Sequence, residues 1–194
     1  MKVTKEKVAE HRSAIVAAAA RLFRQRGFEK VSVAEIMKAA GLTHGGFYGH
    51  FVSKDALAAE ACGAAFADSL TRLPKAGSDD MDAEFEAFLA RYLSEKHRDR
   101  LQGGCPMAAL ATEVGHQDPA VQSCFSEGVE RYIDTLEEGL SERSNESKSE
   151  RRQRAIATLA GLVGAMTLAR ATAKAAPELS AEILAALRDR SDGG

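Results

Sequence analysis

The chain has 194 residues, 45% of them apolar, which is enough to bury a sizeable core in one compact domain or in a small module joined to a larger one. Its formal net charge of −2 hides an asymmetry: residues 1–54 hold ten Lys/Arg against four Asp/Glu, whereas residues 55–194 hold sixteen against twenty-four, so a basic module precedes an acidic remainder. No apolar run reaches about 18 residues and the first residues lack the apolar stretch of a signal peptide, so the expectation is a soluble, cytoplasmic protein without a membrane span.

From Val8, apolar residues recur at Ile15, Ala19, Leu22 and Phe23, and Gly27 follows Arg24 and Arg26, which predicts a first helix with a glycine stop. Ser32 and Glu35 form S-x-x-E, the capping-box spacing, with Val31 and Ile36 placed as its hydrophobic staple. Ile36, Met37 and Ala40 then give the buried face of a second helix, roughly 33–40, stopped by Gly41. The start signal repeats: Thr43 caps a third helix with Leu42 and Phe47 as staple, and Ser53 caps a fourth with Val52 and Leu57. Short helix, glycine turn, short helix is the helix-turn-helix arrangement, which lays its second helix in the DNA major groove.

The segment GLTHGGFYGHF, residues 41–51, would supply that second helix. Glycine in a helix interior costs about 1 kcal/mol against alanine, so Gly45, Gly46 and Gly49 imply a partner that needs the backbone close. Phe47 is expected to face inward and Tyr48 and His50 outward toward the DNA backbone, with His44 at the first turn touching a base edge. Lys54 stands at the positive end of the fourth helix, an arrangement unfavourable by about 0.3–1 kcal/mol that a bound phosphate would reverse. A nucleotide-phosphate loop is excluded by spacing and by the lack of a preceding strand. His44 and His50, six residues apart with no third ligand evident, do not make a metal site.

The run VSVAEIMKAAGLTHGGFYGHFVSKDAL, residues 31–57, closely resembles the DNA-binding signature of the TetR family of bacterial transcriptional regulators, and the first helix fits as well, about fifty residues in all. By this resemblance, Ser32, Thr43, Tyr48, His50 and Lys54 match places where phosphates are held, and His44, Gly45 and Gly46 match those facing bases. Ala34 stands where some relatives carry a longer, base-reading side chain, so direct readout is expected to be sparse and DNA deformability to matter. The implied fold class is all-α: a helix-turn-helix module over residues 1–52, then a helical effector-binding and dimerisation domain over 53–194. Implied partners are a double-stranded DNA operator, a second copy of the chain and a small-molecule or electrophile effector; neither a cofactor nor an enzymatic activity is implied.

In the acidic remainder the fourth helix runs from Ser53 to about Arg72, and PKAGSDDMD reads as a loop. A helix over about 82–98 carries Phe85, Phe88, Leu89 and Tyr92 on one face. After Gly103-Gly104 comes a short helix; Asp118-Pro119 opens a long one through Val121, Phe125, Tyr132, Ile133, Leu136 and Leu140. Residues 144–150 read as a polar linker, followed by helices over about 151–174 and 178–190 and a frayed SDGG tail. The first of these is rich in small residues, Ala157, Ala160, Gly161, Gly164 and Ala165, beside Leu168; it is either central to the core or covered by a second chain. The resemblance implies that the last two helices, with Ile183 and Leu187, pair with their twins in a four-helix bundle. Phe66, Phe88, Tyr92, Cys105, Met107, Phe125 and Met166 are candidates to line an effector pocket, although such residues also serve as plain core.

The three cysteines, Cys62, Cys105 and Cys124, are odd in number and show no C-x-x-C spacing, against a disulfide framework or zinc knuckle. In LQGGCPMAAL, Pro106 suits the first helical position, which makes Cys105 the N-cap, where a thiolate is favoured. GGC before a helix also looks like the segment holding the reactive cysteine in an electrophile- and oxidant-sensing branch of the family. Cys105 is therefore a candidate redox or electrophile sensor, with Arg98 and Arg100 nearby in sequence. Two alternatives stay open: a thiol hydrolase with Cys105 as nucleophile and His97 or His116 as base, and a helical dimeric scaffold without effector.

Overall fold

The computed structural model describes residues 5–74, 80–141 and 147–189, and among these there is no strand. Helix α1, Lys5–Arg26, ends at Gly27, whose φ of 82° closes the turn, and α2 follows at Val33–Ala39. The capping box predicted for α2 is formed in both directions: Ser32 Oγ accepts from the Glu35 amide at 3.3 Å, and Glu35 Oε2 accepts from the Ser32 amide at 2.9 Å. Both staple residues, Val31 and Ile36, are fully buried.

The third helix departs from expectation. Residues His44–Gly49 form a 3₁₀ helix, and Thr43, although extended at the N-cap position, makes no side-chain capping bond. Three glycines in six residues explain the tight form, since they supply little to hold an α-helical turn. Helix α3, Lys54–Leu70, starts as predicted, with Ser53 Oγ accepting from the Ala56 amide at 3.0 Å.

The apolar stripe expected to run through one helix over 82–98 is broken. Helix α4, Met81–Tyr92, is capped by Asp80, and Ser94 then starts a separate short helix α5, Glu95–Asp99, by accepting from the His97 amide. A 3₁₀ turn, Leu101–Gly103, leads to α6, Pro106–Val114, with the proline in the first turn. Helix α7 spans Pro119–Ser141. Helix α8 spans Lys148–Thr172 and begins earlier than predicted because Ser147 and Glu150 form a second capping box where a linker was expected. Helix α9 is Pro177–Asp189. Residues 75–79 of the expected loop, 144–146 of the expected linker and the SDGG tail lie outside the described residues.

By length and composition alone, α8 is long and apolar enough to cross a membrane, a test that a core helix also passes. One face of it, Ala155, Leu159, Leu162, Met166 and Ala169, is nevertheless committed to a core shared with α4 and α7. A second core gathers α1, α2, the 3₁₀ helix and the start of α3 around Phe23, Phe28, Ile36 and Phe47, each buried large side chain contributing about 1.5–3 kcal/mol. Leu110 and Val114 of α6 and Val121 of α7 close that core from the far side. Helix α3 serves both, with Leu57, Ala58, Ala61 and Ala65 in this second core and Cys62 and Phe66 in the one shared with α4, α7 and α8.

Candidate functional site

The outer face of the 3₁₀ helix is open. Thr43, His44, Gly45, Gly46, Tyr48 and Gly49 are exposed, while Phe47 is turned inward and stacks on Phe51 with ring centroids 5.8 Å apart. Tyr48 and Val52 are 75% and 88% exposed, a wasteful placement for two large side chains unless a partner covers them; Val52, expected to staple onto Leu57, stands open instead while Leu57 is buried in the core. A Cβ added at Gly45 or Gly49 would meet nothing within 4 Å, and neither has a positive φ, so the fold itself demands glycine at neither position.

Around this face the supports are bonded across the chain. Arg12 of α1 donates to the His50 carbonyl and pairs with Glu60 of α3, and its guanidinium lies 4.1 Å from the centre of the Phe51 ring. His50, expected to point outward, is half-buried beside the His11 ring, its Nδ1 buried without a partner. Lys54 Nζ donates to the Phe28 carbonyl at 2.7 Å, so one of its three protons is already committed to holding α3 against the turn after α1. Ser32 lies exposed at the start of α2, and hydrogen bonds from its backbone and hydroxyl, aided by Arg26, hold the Glu35 carboxyl down at about 2.

The C-terminal part of the chain has its own buried polar cluster. Cys105 sits at the N-cap of α6, 1% exposed, without a side-chain capping bond. Its amide donates to His97 Nε2 at 3.1 Å, and His97 Nδ1 lies 2.7 Å from the Tyr92 carbonyl. That pair of partners assigns the tautomer: Nδ1 carries the proton and Nε2 accepts, so the imidazole is neutral. Burial, together with the nearby Arg170, lowers the His97 pKa in the same sense, outweighing the bond to Tyr92. The acceptor nitrogen is thus occupied by a backbone amide and is not free to take a proton from the Cys105 thiol, while His116 is exposed. The Tyr92 hydroxyl, close enough to Cys105 to feel its charge, and Arg170 Nη1 are buried with no partner of hydrogen-bond geometry. Of the other thiols, Cys62 is as buried as Cys105 and is pushed up to about 12 by burial beside Cys124, while Cys124 is only partly buried and is raised by burial and by Glu127.

Helix α6 links this cluster to the N-terminal core. At its far end Glu113 Oε2 accepts from the Phe28 amide at 2.9 Å, and its carboxylate fills the space over Gly27 so closely that a Cβ there would come within 2.2 Å of it. Nothing in the local sequence marks Glu113, because the contact joins residues 85 positions apart.

Two cavities adjoin the cluster. The smaller, about 210 Å³, is walled by Phe88, Tyr92, Tyr132 and His97, with Arg91, Lys96 and Arg100 at its rim. The larger, about 680 Å³, is a cleft between α1, α3 and residues 99–103, and the two share Arg72, Arg100 and Gly103. Of the expected pocket residues, Phe88 and Tyr92 line the smaller cavity; Phe66, Cys105, Met107, Phe125 and Met166 line neither and pack into the core, Phe66 edge-on to Phe125 at 5.3 Å. Buried Arg24 lines the cleft and reaches Asp68 and the Gly104 carbonyl, each at 3.4 Å.

The outer face of α8 is small and apolar. Ala157, Ala160 and Leu168 are exposed, and Gly164 has nothing within 4 Å of a built Cβ. Gly161 instead meets Leu187 of α9, and Ala165, Ile183 and Leu187 are partly buried against the chain's own core. Ile156 and Leu179, 44% and 45% exposed, extend the open apolar surface and were not foreseen.

Residues 15–61 match bacterial regulatory proteins of the tetR family, and residues 83–181, half of the chain, match the C-terminal domain of LmrA/YxaF-like transcriptional regulators. The chain is 46% identical over 57 residues to the HTH-type transcriptional regulator AcrR of Shigella flexneri, a match spanning 29% of this chain and 26% of that one. With the HTH-type transcriptional repressor NemR of Escherichia coli K12 it shares 28% identity over 142 residues, 72% of this chain and 70% of NemR. The crystal structure of E. coli NemR in its reduced form superposes with a TM-score of 0.77 at 23% identity, covering 93% of this chain and 94% of that one. A TetR transcriptional regulator from Chloroflexus aurantiacus superposes with a TM-score of 0.74 at 28% identity over 97% of each chain.

Proposed function

Since the chain belongs to the TetR family, and is accordingly a DNA-binding transcriptional regulator and not an enzyme, we propose that it acts as a homodimeric cytoplasmic repressor released from a palindromic operator by an effector. The observation that carries the DNA-contacting part is the exposed Thr43–Gly49 face, where the fold leaves Gly45 and Gly49 bare and Tyr48 uncovered. His44, Gly45 and Gly46 face the bases; Ser32, Thr43, Tyr48, His50 and the remaining protons of Lys54 hold phosphates. Two such faces about 34 Å apart in a twofold dimer would read successive turns of the major groove. The open stripe of α8 supports that pairing.

Fluorescence anisotropy against duplex from the DNA beside its own gene, with scrambled duplex as control and at two salt concentrations, tests this reading. Binding that stays above the control at the higher salt is expected, since phosphate contacts alone weaken steeply with salt. Equal binding to both duplexes, and no sequence enriched from a random DNA pool, would sink the operator reading.

Cys105 modification is one route to release. A quinone would accept the thiolate at a ring carbon, forming the C–S bond while the ring takes the electron pair and then a proton. The site supports it because Cys105 starts α6, whose other end grips the Gly27–Phe28 turn through Glu113. Mass spectrometry after limited quinone treatment should find Cys105 modified ahead of Cys62 and Cys124; the reverse order would remove this route.

A further inference from the structure

The smaller cavity, which shares Tyr92 and His97 with the cluster around Cys105, has a chemical character of its own. Its rim carries Arg91, Lys96 and Arg100, and no aspartate or glutamate lines it. Among the described residues no carboxylate pairs with any of these three cations, whereas neighbouring Arg72 and Arg98 are paired, with Asp68 and with Asp99. The floor is aromatic: Phe88, Tyr92 and Tyr132 are each at most 5% exposed, and the Phe88 and Tyr92 rings lie 5.7 Å apart. Tyr132 spends its hydroxyl on Ser69 Oγ at 2.9 Å, and the Tyr92 hydroxyl, buried in the same wall, has the Cys105 thiol beside it.

Building on the effector-released regulator above, we propose that the inducing ligand is a small aromatic carboxylate, its ring on Phe88, Tyr92 and Tyr132 and its carboxylate facing Arg91, Lys96 and Arg100. The volume of about 210 Å³ falls below the roughly 300–1,000 Å³ of pockets for drug-sized molecules, which suits one ring with short substituents and excludes a nucleotide. Three cations with no carboxylate partner, of which only Arg91 is bonded among the described residues, to the Arg72 carbonyl at 2.6 Å, favour an anion over its neutral isostere, and the aromatic floor favours a ring over an inorganic ion. The ligand would also reach the DNA-reading half. Arg72 borders the cavity and donates to the Gly103 carbonyl and to Asp68, the same carboxylate that holds Arg24 of α1.

The test is calorimetric titration of the full-length protein with benzoate, salicylate and 4-hydroxybenzoate, each beside its uncharged amide, together with operator binding by anisotropy. The acids should bind at least about tenfold more tightly than the amides, a preference that shrinks as salt rises. The surface variant Lys96→Gln/Arg100→Gln should abolish the preference while keeping its melting temperature and its grip on the operator. Equal binding of acid and amide, no binding of either, or a preference that survives the double variant overturns the assignment. Selective acid binding that leaves the operator complex intact would uphold the site and its ligand class while refuting the effector reading on which its regulatory meaning rests.

Discussion

A methyl group placed on Gly45 would touch nothing in the free protein, so its cost can only be felt by whatever docks there. Gly45→Ala is therefore expected to fold as well as the parent or better, by up to about 1 kcal/mol, since alanine suits a helical turn more than glycine does. Operator affinity should fall about tenfold or more, as a close backbone approach is lost. Circular dichroism melts and anisotropy on one preparation check both halves; a variant that binds DNA normally would retire the close-approach argument. His97 makes a different prediction. Its folded pKa is lowered, chiefly by burial, so the native state binds its proton less readily than the unfolded chain does. The stability it contributes is complete above the ordinary histidine range and is lost as pH falls through the depressed folded value. Melts from pH 8 down to 5 should show a decline that His97→Gln flattens, and equal slopes for the two proteins would mean that His97 titrates normally.

At the scale of elements, α6 is the piece whose two ends matter most. Removing the Glu113 carboxylate by Glu113→Ala deprives the Phe28 amide of its acceptor and should cost about 1–2 kcal/mol in denaturant melts. It should also narrow the affinity difference between free and effector-bound protein, which anisotropy with and without effector would read. Gly27→Ala is expected to be worse, by more than about 1 kcal/mol, because the new Cβ meets both a left-handed backbone and the Glu113 carboxylate. Elements with local causes were readable from the residue string: the Ser32–Glu35 box, the Gly27 and Gly41 stops, and the prolines opening α6 and α7. The break at Leu93–Ser94 was not, since Phe85, Phe88, Leu89 and Tyr92 keep helical spacing up to it and only the Ser94 cap hints at a restart. The open face of the 3₁₀ helix was readable because its glycines and polar residues surround a single inward Phe47, but the turning of His50 toward His11 was not, since it depends on how α1 packs. The cavity rim was not: Arg91, Lys96 and Arg100 become neighbours around Tyr132 only through packing, and Glu113 acquires its role only by reaching Phe28.

For the whole molecule, charge and assembly decide whether the reading face can work. The excess of Lys/Arg lies in the first 54 residues, so the acidic body should contribute repulsion, and not grip, toward DNA. Leu168 is 58% exposed on the open face of α8, so Leu168→Glu should change fold stability by no more than about 0.5 kcal/mol. If α8 pairs with its twin, the same change should yield a monomer by light scattering and lower operator affinity at least about a hundredfold, because the two half-sites are then bound separately. An unaltered dimer would place the assembly surface elsewhere. Helix α3, finally, gives Leu57, Ala58 and Ala61 to the core behind the 3₁₀ helix and Phe66 to the core of the body. A helix shared in this way leaves no seam. Heat or denaturant that loosens the body takes away a wall of the other core in the same event. The regulator should therefore disappear from a stressed cell as a unit, with no surviving remnant that pairs with intact copies and silences them.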